Sequence, residues 1–126
     1  MREILFRGKD TGTGKWLYSM TIARQAYNDN EIFTYYIGAG NKTIDGKTLG
    51  QYTGLTDKNG TKIFEGDIIL YGLIPCVVMY DAPNARFMLY AYGKYLHNGF
   101  NVDTMKLKEV IGNIHDNPEL LKEQSL

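Results

Sequence analysis

The acidic side chains Asp57, Glu65 and Asp67 fall together in "QYTGLTDKNGTKIFEGDII", residues 51–69. Two carboxylates two residues apart on a strand share a face, as Glu65 and Asp67 would. That arrangement serves general acid–base work or a hard cation such as Mg²⁺. The same residues also have a conformational use. An Asp beside a glycine caps a turn by accepting backbone N–H groups, and a Glu at a turn is solvated. No histidine, lysine or third acid has the spacing to complete a catalytic set around the pair. The segment reads as a device for turning the chain, and no catalytic residue is assigned.

Other candidate chemistries meet similar obstacles. Gly46-Lys47-Thr48 ends as a nucleotide-binding loop ends, but the required first glycine would fall at Asn41, and Gly40 is one residue too far. Gly14-Lys15 fails likewise: Gly8 is one position out, and Trp16 stands where Ser or Thr would hold Mg²⁺. The two histidines, His97 and His115, are far apart, and no Cys-x-x-Cys or His-x₃-His spacing exists. His115 beside Asp116 reads as structural, and neither metal nor cofactor is expected. Ser19 and Ser125 lack a Gly-x-Ser-x-Gly setting. Cys76, the single cysteine, sits in the apolar run "IPCVVMY", where a thiol is buried rather than reactive. The rings of Phe87, Tyr90, Tyr92, Tyr95 and Phe100, interleaved with Arg86 and Lys94, could stack nucleobases. Strand alternation sends about half of them inward, so core or subunit contact is the first reading.

The elements that must position these residues are short strands. "REILFR", "GKDTGTG" and "KWLYSMT" read as strand, turn, strand, with Ile4 and Phe6 sharing one face of the first strand, as Trp16 and Tyr18 do in the second. Residues 22–30 fit a helical turn or a loop. "EIFTYYI" (31–37) is a strand by composition, and 38–47 a glycine-rich loop. Asn59-Gly60 predicts a type I′ hairpin in which Asp57 faces Lys62 and Leu55 faces Phe64; a four-residue turn on Asp57–Gly60 would slip that register. "EGD" turns the chain again, with Asp67 accepting nearby N–H bonds. "IILY", "PCVVMY" and "RFMLYAY" follow as strands, 93–104 as loop, and "KLKEVIGNI" ends the sheet. Asn117 as N-cap and Pro118 behind it predict a short C-terminal helix.

These elements predict a mainly β, β-rich α+β fold. It comprises an N-terminal hairpin and strand region (1–50), a small SH3-like barrel (51–114) and a C-terminal cap or helix (115–126), in one domain. At 126 residues, one modest core is what the length supports. Formal net charge is zero, 14 basic against 14 acidic residues, which argues against nucleic acid as the main partner. The charge is uneven. Residues 1–24 carry Arg2, Arg7, Lys9, Lys15 and Arg24 against two acids, net +3, and residues 109–126 are net −3. The ends therefore suit one another or a neighbouring copy. No apolar stretch reaches membrane-spanning length, and "MREILFRGKD" is charged where a signal peptide is apolar. A cytoplasmic chain without membrane contact is expected.

Three stretches carry a resemblance. "REILFRGKD…GKWLYSM", "QYTGLTDKNGTKIFEGDII" and "EVIGNIHDNPELL" are similar to the opening hairpin, the most distinctive motif and the usual ending of the YopX family of bacterial phages and prophages. The resemblance implies a phage or prophage gene in a bacterial host and a β-rich fold with an SH3-like barrel. It implies no enzymatic activity and no catalytic residue. Tyr52, Thr53, Gly54, Leu55, Asp57, Gly60, Glu65, Gly66 and Asp67 match as a motif, read here as turn and strand determinants.

The favoured expectation is a non-enzymatic accessory protein that contacts an unidentified phage or host protein and assembles as a homo-oligomer. Ten tyrosines, residues suited to contact surfaces, support it. The alternative is a nucleic-acid-binding module for phage replication or gene control. Arg2, Arg7, Lys9, Lys15 and Trp16 would then supply charge and stacking, with Arg86, Tyr90, Tyr92 and Lys94 as a second platform.

Overall fold

The computed structural model describes residues 2–27, 32–96 and 99–124. The chain divides into two compact units, Met1–Tyr52 and Thr53–Leu126. The first holds β1 (Phe6–Asp10), β2 (Trp16–Ser19), β3 (Ile22–Tyr27), β4 (Ile32–Ile37) and most of β5 (Lys42–Thr56), in the antiparallel order β2-β1-β5-β4-β3. The opening hairpin forms later in the chain than its glycines suggest. Gly8, Lys9 and Asp10 belong to β1, and the turn begins only at Thr11. Asp10 explains the shift, since its Oδ1 accepts the N–H groups of Gly12 (2.7 Å) and Thr13 (3.2 Å) and closes the turn there. Residues 22–27 are strand, neither helical turn nor loop, because they pair along their whole length with β4, from Ile22↔Ile37 to Tyr27↔Ile32. Ile37 and Ile44 are buried on one face of this sheet.

β5 continues into the second unit, where β6 (Lys62–Phe64) pairs with it. Then come β7 (Asp67–Tyr71), β8 (Ile74–Asp81), β9 (Arg86–Ala91), β10 (Lys94–Leu96), a single helical turn α1 (Val102–Met105) and β11 (Val110–Asn113). Their sheet runs β10-β9-β8-β7-β11. The core of this unit is Ile63, Ile69, Cys76, Val78, Leu89, Ala91 and Met105, with Leu55, Leu96, Phe100 and Val110 against it. Ile69↔Cys76 and Val78↔Leu89 are directly paired, so strand alternation delivers these side chains to one face.

Mainly β is the right class, but further details differ from expectation. β5 begins at Lys42, inside the stretch 38–47 read as a glycine-rich loop. The barrel is not closed: β10 and β11 are the two edges of an open sheet. Residues 93–104 contain β10 and α1 rather than loop alone; Asn101 caps α1 by accepting the Thr104 N–H at 2.9 Å. The C-terminal α-helix is absent, and Pro118–Gln124 form a 3₁₀ helix instead. The Asn117 side chain, assigned to a helix N-cap, accepts the N–H of Asn113 at 3.2 Å. Its own carbonyl takes the Leu120 N–H at 3.1 Å, a three-residue closure that sets the tighter winding.

Candidate functional sites

The acidic motif is a joint in the backbone. Asp57 is 5% exposed. Its Oδ1 accepts the N–H of Asn59 (2.8 Å) and of Thr61 (2.9 Å), and its Oδ2 that of Val110 (3.0 Å). Burial alone would raise this carboxyl. The three N–H donors and the nearby Lys58 charge outweigh it and hold Asp57 below the usual carboxylate range. The turn is consequently not type I′ but the four-residue turn on Asp57–Gly60, the alternative that slips the register. The Asp57 carbonyl accepts the Gly60 N–H (3.0 Å) and the Asp57 N–H donates to the Thr61 carbonyl (2.9 Å), so Asp57 closes on Thr61 rather than Lys62. Gly60 takes φ +78°, while Asn59 stays at negative φ. An Asp side chain that bonds two turn N–H groups favours this three-residue loop with one left-handed glycine.

Around that turn the central motif meets the C-terminal one. The Lys58 N–H donates to the Lys108 carbonyl (2.9 Å), the Lys58 ammonium lies 3.5 Å from the Glu109 carboxylate, and the Ile114 N–H donates to the Gly66 carbonyl (2.9 Å). Asp67 is buried and its Oδ2 accepts the Phe64 N–H at 2.7 Å, the turn-capping role expected of it. Asn113 organises the next turn, its Oδ1 accepting from His115 (3.0 Å) and Asp116 (2.9 Å). Asp116 in turn accepts from the Asn113 amide (3.0 Å). Among the described residues no group of three His, Cys, Asp or Glu side chains is placed to hold a metal ion. His97 and Ser125 lie outside the described residues. Cys76 is fully buried, and burial pushes its thiol up.

The nucleic-acid candidates separate into two sets. In the first unit, the pairs Arg7↔Tyr18 and Lys9↔Trp16 put four side chains on one face. The Arg7 guanidinium lies 4.5 Å and the Lys9 ammonium 5.4 Å from the Trp16 ring centroid. These are cation–π contacts worth about 0.5–2 kcal/mol each. Lys15 is exposed on the neighbouring turn, and Arg2 is exposed ahead of β1. The second set does not form a platform. Arg86 is engaged by buried Asp81 (3.1 Å), which the Asn84 amide and Arg86 hold below the usual carboxylate range against its burial. Tyr90 packs edge-on against Tyr95, centroids 5.2 Å apart. Tyr92 is exposed on the β9–β10 turn and Lys94 is exposed at the start of β10, at the other end of β9 from Arg86.

The sequence Gly46-Lys47-Thr48 turns out to be a bulge in β5. Lys9 pairs with Asp45 and Arg7 with Gly50, so the residues between loop out. Thr48 closes the bulge: its Oγ1 accepts the Lys9 N–H (2.8 Å) and donates to the Asp45 carbonyl (2.6 Å). A shallow depression of about 490 Å³ lies beside it, lined in part by Lys9, Phe33, Tyr35 and Asp45.

One surface was missed in the sequence. A groove of about 370 Å³ in the second unit is lined by Leu70, Leu73, Pro75, Tyr92, Ile111, Glu119 and Leu120. Leu73 is 94% exposed on the two-residue turn between Tyr71 and Ile74. A leucine where turn chemistry calls for Gly, Asn or Asp was the legible signal.

A family model described as "YopX protein" matches residues 5–122. The chain belongs to the YopX family. Among solved structures, this YopX chain is similar to protein EF1440 from Enterococcus faecalis, with 27% identity and a TM-score of 0.58. That likeness covers 96% of this chain and 99% of the other. No curated protein matches it. No described helix is long and apolar enough to cross a membrane.

Proposed function

We propose that this YopX-family chain is a non-enzymatic phage or prophage accessory protein, acting in the host cytoplasm through protein–protein contacts and assembling as a homo-oligomer. The groove with Leu73 at its rim carries this reading. Exposed leucines beside a concave surface of mixed polar and apolar character cost solvation unless something covers them. The groove's chemistry suits an extended partner segment with one or two apolar side chains and a basic residue to meet Glu119. The engagement of Asp57 and Asp67 in holding backbone N–H groups fits a scaffold role for these motif acids. The second sheet adds support. It is a four-strand meander whose first strand also takes the last strand after one helical turn, a connectivity we read as SH3-like. Such scaffolds host many unrelated binding functions.

Affinity capture from induced host cells tests the reading. A partner retained by the wild-type chain, lost with Leu73→Asp and weakened with Glu119→Lys, is the expected result. A partner indifferent to both substitutions overturns it. Light scattering at micromolar concentration tests the oligomer, and a strict monomer removes that part.

Lys9 and Trp16 on one face, with the buried Arg7 against the same ring, favour a second reading, single-stranded nucleic-acid binding. Trp16 is the only tryptophan, so its fluorescence reports on that face directly. Salt-dependent quenching by oligonucleotides with Kd below ~1 µM would support it, and no response at low salt removes it.

A further inference from the structure

The outer edge of β3 is an unpaired antiparallel edge on the first unit. Among the described residues β3 hydrogen-bonds only to β4, and Ile22 to Ala26 are exposed. The direction of its backbone groups follows from the ladder. The Gly38 N–H donates to the Thr21 carbonyl at 2.9 Å, and the register continues as Ile22↔Ile37 and Ala23↔Tyr36. Thr21, Ala23 and Gln25 therefore turn their N–H and C=O toward β4, whereas Ile22, Arg24 and Ala26 turn theirs outward. Of the usual protections this edge carries only a single charge, Arg24. "IARQAY" has no proline, no lysine and no bulge in its pairing.

We infer that this edge is where two copies of the chain join, β3 pairing antiparallel with β3 of the second copy about a two-fold axis at Gln25. The inference rests on the homo-oligomer proposed above and names its interface. A second copy fits because an antiparallel edge is its own complement, outward residues meeting outward residues. Charge chooses the register. Centring the axis on Arg24 sets two guanidinium side chains opposite each other, which is unfavourable. Centring it on Gln25 sets each Arg24 against the small Ala26 of the other copy and forms four inter-chain N–H···O=C bonds. With zero net charge, the two copies have no overall repulsion to overcome. The two first-unit sheets then become one continuous sheet.

Two variants of the full chain test this, read by light scattering, far-UV circular dichroism and non-reducing electrophoresis. Ala26→Pro removes an outward N–H without touching the β3–β4 ladder, so a folded monomer is expected. Gln25→Cys places two thiols at the axis in a non-hydrogen-bonded pair, where mild oxidation should link the copies covalently. The native Cys76 is fully buried and will not compete. An oligomeric wild type with Ala26→Pro monomeric and Gln25→Cys cross-linked supports the inference. A wild type that is itself monomeric overturns both the oligomer and this interface. An oligomer that survives Ala26→Pro while folded, or that never cross-links through Gln25→Cys, overturns the interface alone. In that outcome assembly, or capture of another protein's strand, lies elsewhere.

Discussion

Replacing Asp57 should damage the fold far more than its small size suggests. Its carboxylate accepts three backbone N–H bonds of 2.8–3.0 Å, two from its own turn and one from Val110 at the start of β11. A net hydrogen bond to a charged group contributes about 1.5–3 kcal/mol, but three sharing one carboxylate do not add. The Asn59 and Thr61 N–H groups sit in an exposed turn where water can reach them. The Val110 N–H is half-buried and has fewer alternatives. Asp57→Ala should therefore cost about 3 kcal/mol, and lower Tm by roughly 10 °C for a chain of this size. Asp57→Asn keeps one oxygen for the turn but points its amide N–H at the Val110 N–H, for a loss of about 2 kcal/mol. As a control, Lys58→Ala removes only a half-exposed ion pair with Glu109 and should change stability by less than about 1 kcal/mol. The pH dependence has a fixed sign. Because Asp57 is held below its ordinary value, its contribution is complete above about pH 4 and is lost as pH falls through the folded value. The gap between wild type and Asp57→Asn should shrink on going from pH 6 to pH 3. Urea denaturation followed by circular dichroism measures all of this. A stable Asp57→Ala with an unchanged acid limb would show that the carboxylate is not a joint, and would return it to the list of candidate functional groups.

Three further outcomes follow from the packing. Gly46→Ala would set a methyl group 2.5 Å from a ring carbon of Tyr35, so a loss of about 1–3 kcal/mol is expected in thermal melts. A neutral effect would mean that the β5 bulge is looser than described. Cys76 should stay inert to thiol reagents in the folded chain at pH 8 and react on addition of denaturant, since burial both shields and protonates it. Fast native labelling would refute that. Leu73→Asp should leave Tm within about 2 °C of wild type, because a side chain 94% exposed contributes little to folding. A large drop would mean that Leu73 is covered in the folded protein.

By itself the sequence determined the class of fold and most of its punctuation. Short runs rich in β-branched and aromatic residues, "EIFTYYI", "IILY", "CVVMY" and "RFMLYAY", mark strands by composition and by the turn signals that bound them. Gly60 and Asp67 mark turns because turns need left-handed backbone and local acceptors. The buried state of Cys76 was legible for the same reason, from an apolar run around it. Only the tertiary structure decided where the turn chemistry led. Asp57 looks like a hairpin residue, and its Oδ1 sets the turn locally, yet its second oxygen reaches Val110, 53 residues later, which no local pattern reveals. Asn117 has every local mark of a helix cap, but Asn113 claims its side-chain oxygen and the helix winds as 3₁₀. Residues 22–27 carry little strand signal and become strand because β4 offers them a full ladder. At Asp57 and along residues 22–27 the deciding hydrogen bonds exist only once separate segments meet, whereas Asn117 is diverted by Asn113, four residues away.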